Sequence, residues 1–170
     1  MDFSDLATKR ISVRGYRPDP VPEATLTRIL HAAHMAPSAV NRQPWRIVVI
    51  RAEAQRRAVH EAYPRDWLLQ APLILAICVE PAAAWTRPED GWNSAETDGA
   101  ILMTHLTLAA AEAGLGTCWI AAFSPSKLRA ALGLPDGVVP LALTPLGLPA
   151  DSGRPKQRKP LAEVVHDGAW

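Results

Sequence analysis

The chain has 170 residues, of which 48% are hydrophobic, and its formal net charge is only +1. This length and composition allow one sizeable core but not two, so we expect a single domain over residues 1–170. The near balance of charge argues against a general nucleic-acid binder, which carries a strong basic excess. The longest charge-free apolar stretches, 67–79 and 99–111, are shorter than the roughly 18 residues of a membrane span. We therefore expect no nucleic-acid or membrane partner.

The cysteines and histidines do not form a metal-binding pattern. Cys78 and Cys118 lie inside apolar runs, far apart in the chain, which favours buried reduced thiols over a disulfide. His31 and His34 have a spacing compatible with metal ligands, but no third ligand is nearby, so surface or interface histidines are favoured. The first ten residues contain no apolar signal region. We expect a cytoplasmic protein without a metal site.

The N-terminal segment predicts a short helix followed by an extended stretch. Residues 3–9 predict a helix whose Phe3, Leu6 and Ala7 point inward. The next residues, "RISVRGY", alternate between polar and apolar side chains, as an extended segment with one buried face does.

Hydrophobic periodicity and turn residues predict the elements of the rest of the chain. In order, they are a helix from Pro22 to Pro37, a strand at 45–50, a helix at 52–62, a strand at 72–79, a loop at 80–94, a helix at 95–113 that ends at Gly114, a strand at 116–121, a helix from Ser124 to Gly133 and a strand at 138–147. Pro140 and Pro145 restrict the last strand to a sheet edge or to an irregular course. Helices and strands alternate only partly, so we expect an α+β fold with a mixed, mostly antiparallel central sheet flanked by helices.

Basic residues are concentrated near the two ends of the chain. Arg10, Ser12 and Arg14 place two guanidinium groups and a hydroxyl on one side of an extended segment. Lys156 and Arg158 repeat this spacing near the other end. If the two ends meet, these groups would form charge-assisted hydrogen bonds with one phosphate. The alternative is solvated charge on flexible ends. Neither GxGxxG nor GxxxxGKS/T occurs, so a dinucleotide fold is not expected.

Four segments together resemble the nitroreductase family of flavoproteins. They are "RISVRGY" at the start, "APSAVNRQPW" after the second helix, "AAAEAGLGTCWIAAF" at the end of the central helix, and "PLALTPLGLP" followed by "KQRKPL". Each segment is weak alone, but their order and separation are specific, and the similarity spans nearly the whole chain. The resemblance implies a nitroreductase-like fold and an intertwined homodimer that holds FMN in a cleft between its subunits.

The resemblance also implies which residues contact FMN. Arg10, Ser12 and Arg14 would hold the phosphate together with Lys156 and Arg158. Further contacts would come from Pro37, Ser38, Asn41 and Gln43, which would approach the flavin of the neighbouring subunit. The backbone at Ile120, Ala121 and Ala122 would donate a hydrogen bond near flavin N5.

The activity that the resemblance implies is an oxidoreductase. FMN would take hydride from NAD(P)H at N5 and pass it to nitroaromatic or quinone-like acceptors, with the natural substrate left open. No catalytic side chain is required, because the flavin carries the chemistry. The alternative is a flavin-binding sensor or storage homodimer without significant NAD(P)H turnover. Related folds also perform reductive dehalogenation, azole-linked oxidation and flavin destruction, and fold resemblance does not choose among them.

By the same resemblance, larger relatives carry a longer helical excursion where this chain has only the loop at 80–94. We expect Trp85, Arg87 and Trp92 to lie near the flavin opening and to shape substrate access. An equally supported alternative is that the tryptophans pack against the dimer partner.

Other side chains have structural interpretations. Trp45 and Trp119 begin or occupy predicted strands, which favours core packing for both. His105 lies within the apolar central helix, where a satisfied buried or interfacial histidine is favoured over a catalytic one. Asp98 opens that helix, where the helix dipole stabilises a carboxylate.

Overall fold

A computed structural model of the chain describes residues 2–170 and shows a four-stranded sheet with helices on both faces. The helices are α1 (Phe3–Lys9), α2 (Glu23–His34), α3 (Glu53–His60), α4 (Ala95–Glu112) and α5 (Pro125–Leu132). The strands are β1 (Trp45–Ile50), β2 (Leu73–Val79), β3 (Gly116–Thr117) and β4 (Val139–Gly147). Short 3₁₀ turns lie at Ala39–Asn41, Asp66–Gln70, Pro81–Ala83 and Leu161–Glu163. Met1, which the predicted domain includes, lies outside the described residues.

The strands form one sheet in the order β1-β2-β4-β3, and every neighbouring pair is antiparallel. The α+β class with a mostly antiparallel sheet and flanking helices is therefore confirmed. Over the described residues, no helix combines the length and the hydropathy needed to cross a membrane.

Both faces of the sheet are covered, which explains why β2 is apolar along its whole length. Leu73, Leu75 and Ile77 pack with residues of α2 and α4 on one face. Ile74 and Ala76 pack with residues of α3 and α5 on the other. Because successive side chains of a strand point to opposite faces, every residue of β2 is buried. Helix α4 contacts α1, α2 and every strand, so it holds the layers together.

The last strand is not at an edge, because β4 lies between β2 and β3. Its predicted irregular course is present: the register with β2 shifts where Cys78 pairs with Pro140, which leaves Leu141 unmatched. The strand predicted at 116–121 is regular only over Gly116–Thr117. The Cys118 N–H donates to the Thr144 hydroxyl at 3.1 Å instead of to a backbone carbonyl.

Two aromatic side chains predicted to point inward are exposed instead. Phe3 is 71% exposed because α1 lies at the surface and buries none of its residues. Trp119 is 40% exposed, since Cys118 and Ile120 on either side of it face the core. Trp45, in contrast, is buried as predicted.

Candidate functional site

The two ends of the chain meet beside the end of β4. Val13 N–H donates to the Thr117 carbonyl at 2.9 Å, and Arg17 N–H donates to the Leu148 carbonyl at 2.9 Å. The Arg14 N–H donates to the Asp151 carboxylate at 2.9 Å. These bonds hold the extended N-terminal segment against β3 and against the residues that follow β4. The basic tail therefore begins beside the N-terminal segment.

A glycine lets the tail turn toward the N-terminal segment. Gly153 has φ of +62°, and a Cβ there would lie 2.6 Å from Ile11 Cδ1 and 3.0 Å from the Ser12 carbonyl oxygen. Only glycine adopts this conformation without strain and leaves room for such a close approach. The residues after it are thereby brought beside Arg10 and Ser12.

The two predicted basic clusters line one cavity of about 300 Å³, here called the cationic cavity. Its walls are Arg10, Ile11, Ser12, Arg14, Arg154, Pro155, Lys156, Gln157 and Arg158. All five residues predicted to grip a phosphate are among them. Lys156 also donates to the Ala7 carbonyl, which fixes the tail against α1.

The positively charged side chains of this cavity repel one another, and burial adds to the cost of charging them. Burial and the nearby Arg158 guanidinium lower the pKa of Arg10 below its usual value. Burial, Arg10 and Arg158 likewise lower the pKa of Lys156. Among residues 2–170, none of the basic side chains of this cavity pairs with a carboxylate. Such a cluster of like charges, none of which forms an ion pair within the described residues, fits a dianionic ligand.

The segment 36–44, here called the amide loop, has an unusual backbone. Val40, Asn41 and Gln43 all have positive φ, between 51° and 55°. This region is uncommon for any residue with a side chain and is an outlier for a β-branched one. The Gln43 N–H donates to the Ser38 hydroxyl at 2.9 Å, and the Gln43 amide donates to Asn41 Oδ1 at 3.0 Å. Three of the four predicted contact residues of this loop therefore bond to one another, while Pro37 is exposed.

Asp98 holds the amide loop to α4, a role that the sequence did not indicate. Its side chain is 2% exposed, and its Oδ1 accepts the Ala39 N–H at 2.9 Å. Its Oδ2 accepts the Ser94 hydroxyl at 2.8 Å. The helix dipole alone does not account for this carboxylate.

The backbone predicted to approach flavin N5 has free donors at two of three positions. Ile120 N–H donates to the Leu143 carbonyl at 2.9 Å, so it is not available to a ligand. Within the described part of the chain, the N–H groups of Ala121 and Ala122 have no protein acceptor. Both alanines are exposed, and the exposed ring of Trp119 is two residues from Ala121.

The 80–94 segment ends in a compact hairpin, here called the tryptophan hairpin (residues 85–94). Trp85 and Trp92 meet edge to face with ring centroids 6.3 Å apart. Arg87 lies over the Trp92 ring, 5.2 Å from its centroid, and forms two hydrogen bonds of 2.8 Å with Asp90. The residues predicted to shape access thus form one cluster, and none of them lines the cationic cavity of its own chain.

Both cysteines are buried thiols with raised pKa values. Cys78 and Cys118 are free and buried, and burial raises the pKa of Cys78 to about 11. Burial also raises the pKa of Cys118, so both thiols are protonated at neutral pH and neither is a ready nucleophile. Among residues 2–170, no cluster of three or more His, Cys, Asp or Glu side chains could hold a metal ion.

Comparisons with known proteins agree on one family. The sequence model of the Nitroreductase family matches residues 7–148. The chain is 36% identical to an NADH dehydrogenase of Thermus thermophilus, over 97% of this chain and 95% of that protein. It is 31% identical to an FMN reductase (NAD(P)H) of Bacillus subtilis, over 96% and 72% of the two chains. A crystal structure of a nitroreductase family protein from Clostridium difficile 630 superposes with a TM-score of 0.88 at 31% identity and covers both chains fully.

Proposed function

The chain belongs to the nitroreductase family, and we propose that it uses FMN to pass hydride from NAD(P)H to nitroaromatic or quinone-like acceptors. The names of its relatives, NADH dehydrogenase and FMN reductase (NAD(P)H), support an NAD(P)H-dependent oxidoreductase. The observation that carries the FMN assignment is the cationic cavity, in which residues from both ends of the chain surround one space.

The residues of the cationic cavity fit the phosphate of FMN. Guanidinium groups offer paired N–H donors that match phosphate oxygens, and an ammonium adds a point charge. Arg10, Arg14 and Arg158 supply the first kind of group, and Lys156 supplies the second. The Ser12 hydroxyl adds a neutral donor. A bound dianion would neutralise the like charges that lower the pKa values of Arg10 and Lys156.

Other parts of the chain would orient the flavin ring. FMN, when bound, supplies the hydride-accepting and hydride-donating centre. The unpaired N–H groups of Ala121 and Ala122 would donate to the ring near N5, where a backbone dipole stabilises developing negative charge. Both alanines are exposed and carry only a methyl side chain, and the partly exposed ring of Trp119 is close to them in the chain. An open site of this kind suits flat, conjugated acceptors.

We assign the remaining wall of the site to a second copy of the chain. The amide loop contributes nothing to the cationic cavity of its own protomer, yet it displays amide groups on a strained, well-bonded backbone. In a homodimer, this loop would meet the flavin of the partner subunit. We also place the protein in the cytoplasm, which its free, buried cysteines support.

The first test is binding of FMN and of riboflavin, which lacks the phosphate. We expect the purified protein to be yellow and to bind FMN at least about 100-fold more tightly than riboflavin, because each charge-assisted hydrogen bond to the phosphate contributes roughly 1.5–3 kcal/mol. Equal affinity for the two flavins, or no binding of added FMN, would overturn the assignment.

The second test is reduction of the bound flavin. Anaerobic stopped-flow mixing with NADH and with NADPH should bleach the flavin absorbance with at least one of them. Bleaching followed by reoxidation with a nitroaromatic or a quinone supports the enzyme. Tight FMN binding without reduction by either nicotinamide would instead identify a flavin-binding sensor or storage protein.

A further inference from the structure

We propose that Asp98 is a positioning residue that fixes the amide loop and couples it to the tryptophan hairpin. Its carboxylate accepts one hydrogen bond from each of the two segments. One oxygen accepts the Ala39 N–H of the loop at 2.9 Å. The other accepts the hydroxyl of Ser94, the last residue of the hairpin, at 2.8 Å.

Burial makes this link strong. Asp98 and Ser94 are both almost completely buried, so water cannot replace the hydrogen bond between them at low cost, and the bond to the half-buried Ala39 N–H ends on the same buried carboxylate. Loss of the carboxylate would leave the Ala39 N–H without its acceptor, and a hydrogen bond to a charged group typically contributes more than one between neutral groups. Asp98 is therefore placed to control whether the amide loop keeps its conformation.

The backbone of the amide loop needs such a restraint. Val40, Asn41 and Gln43 have positive φ values, and strained backbone of this kind persists only where surrounding contacts over-determine it. The Ser38 hydroxyl restrains the loop from within. Asp98 restrains it from the body of the protein, directly before the strained residues.

Ser94 extends the link to the tryptophans. Its N–H donates to the Trp85 carbonyl at 2.9 Å, and its hydroxyl donates to Asp98. The Asn93 side chain closes the base of the hairpin by donating to the Pro81 carbonyl at 3.0 Å. A displacement of Asp98 thus reaches both the loop and the hairpin, which are the segments predicted to contact FMN and to shape access to it.

The first experiment uses the apo protein and needs no flavin. Hydrogen–deuterium exchange is compared in the wild type, Asp98→Ala, Asp98→Asn and Ser94→Ala, with Glu96→Ala as the control. Glu96 is an exposed carboxylate on the same first turn of α4. We expect Asp98→Ala to speed exchange in residues 36–44 about tenfold or more, the effect of losing one charge-assisted hydrogen bond, and to speed exchange in 85–94 as well. Asp98→Asn, which keeps a neutral acceptor for Ala39, should speed exchange less than Asp98→Ala does. Ser94→Ala should speed exchange mainly in the hairpin.

Exchange in β2 separates local loosening from general unfolding. We expect residues 73–79 to exchange at the wild-type rate in every variant. Unchanged exchange of the amide loop in Asp98→Ala would overturn the proposal. So would an increase confined to the loop with none in the hairpin, because the two segments would then not be coupled.

The second experiment rests on the proposed FMN site and adds the functional consequence. If the loop contacts the flavin of the partner subunit, Asp98→Ala should weaken FMN binding about tenfold or more. Asp98→Asn should weaken it less, and Glu96→Ala should bind FMN as the wild type does. Loosened exchange with unchanged FMN affinity would overturn the positioning role. Wild-type protein that binds no FMN would instead refute the proposed function, while the exchange experiment would still decide the link itself.

Discussion

Arg10 offers a direct test of the phosphate site at the level of a single residue. Its guanidinium lines the cationic cavity, where a dianion would gain a charge-assisted hydrogen bond. We expect Arg10→Ala to weaken FMN binding about 10- to 150-fold, which corresponds to one such bond. Riboflavin binding should not change, because riboflavin has no phosphate. Fluorescence titration measures both affinities, and Arg17→Ala, an exposed arginine outside the cavity, is the control. An equal loss for riboflavin would mean that Arg10 supports the fold instead.

Lys156 makes the stability of the apo protein depend on pH. Its pKa in the folded chain lies below the usual 10.5, so between those two values the unfolded chain binds more protons. Stability therefore rises with pH across this window. We expect the urea midpoint of the wild type to increase toward pH 10.5 relative to that of Lys156→Met. Saturating FMN should reduce this difference, because the dianion raises the pKa of Lys156 again. Parallel pH profiles of the two proteins without FMN would contradict the expectation.

Asp98 shows why part of the site could not be predicted residue by residue. The sequence places it in the first turn of a helix, where the dipole alone justifies a carboxylate. Its partner is the backbone N–H of Ala39, 59 positions away, and a backbone amide has no side-chain signature. The burial of Ser94 beside it likewise depends on tertiary packing. The polar residues of the amide loop indicated a binding segment in the sequence. The hydrogen bond from Ala39 to Asp98 that restrains this loop could be recognised only in the folded structure.

At the scale of elements, the packing of α4 on the sheet depends on a glycine. A Cβ at Gly99 would lie 2.5 Å from Leu141 Cδ2 and 2.7 Å from Val79 Cγ1. Alanine gains about 1 kcal/mol in helix propensity, but overpacking of this kind typically costs about 1–3 kcal/mol. We expect Gly99→Ala to lower the free energy of unfolding in urea by up to about 2 kcal/mol, which is the overpacking cost less the gain in helix propensity. Thr97→Ala, on an exposed position of the same helix, should be near neutral. A stabilised Gly99→Ala protein would show that the helix moves away without cost.

The tryptophan hairpin gives a prediction about substrate choice. Its rings and Arg87 form one cluster, so removal of both tryptophans should open the space around it without changing the cationic cavity. We expect Trp85→Ala combined with Trp92→Ala to change the ratio of kcat/KM between small and large acceptors about tenfold, the scale of lost apolar contact in a binding pocket, with FMN affinity unchanged. Glu89→Ala, at the exposed tip, is the control. An unchanged ratio would favour packing of the tryptophans against the dimer partner.

Elements with strong periodicity were predicted almost to their ends, whereas the order of the strands was not. The predicted helix at 95–113 and the strand at 45–50 correspond closely to α4 and β1. The prolines predicted an edge position or an irregular course for β4, and the structure has the second: a bulge at Pro140 lets the strand remain inside the sheet. The Thr144 hydroxyl replaces a backbone acceptor beside Pro145. A side chain that takes the place of a backbone acceptor between two strands leaves no periodic pattern in the sequence.

At the scale of the molecule, the convergence of the two ends was predicted from charge and from the family resemblance together. Charge alone allowed the alternative of solvated, flexible ends. The structure brings Arg10 and Lys156 to one cavity through backbone contacts of residues 13–17 with the chain after β4. Gly153 completes the turn. These contacts depend on the completed sheet, so no local segment of the sequence could specify them.

Exposed apolar side chains near the C-terminal end of the chain support the prediction of a homodimer. Leu161 is 74% exposed, Val164 and Val165 are more than half exposed, and Trp170 is fully exposed. Exposure of these four apolar side chains is costly in water, and burial of each contributes roughly 1.5–3 kcal/mol. We expect sedimentation velocity to show a species of twice the 18.4 kDa chain mass. We propose that the tail packs against the second copy, near the flavin site that both chains would form.

Charged substitutions in the tail test this assembly together with the cofactor site. Leu161→Asp combined with Val165→Asp should weaken the dimer about 100-fold or more, because two apolar contacts are lost, and FMN should dissociate as the dimer does. Glu163→Gln, an exposed change between them, should leave both properties unchanged. The concentration dependence of FMN binding then reports the coupling: if the flavin site needs two chains, affinity must fall as the protein is diluted below the dimer dissociation constant. A wild-type monomer that keeps FMN at every concentration would place the whole site in one chain and refute the shared-site assignment.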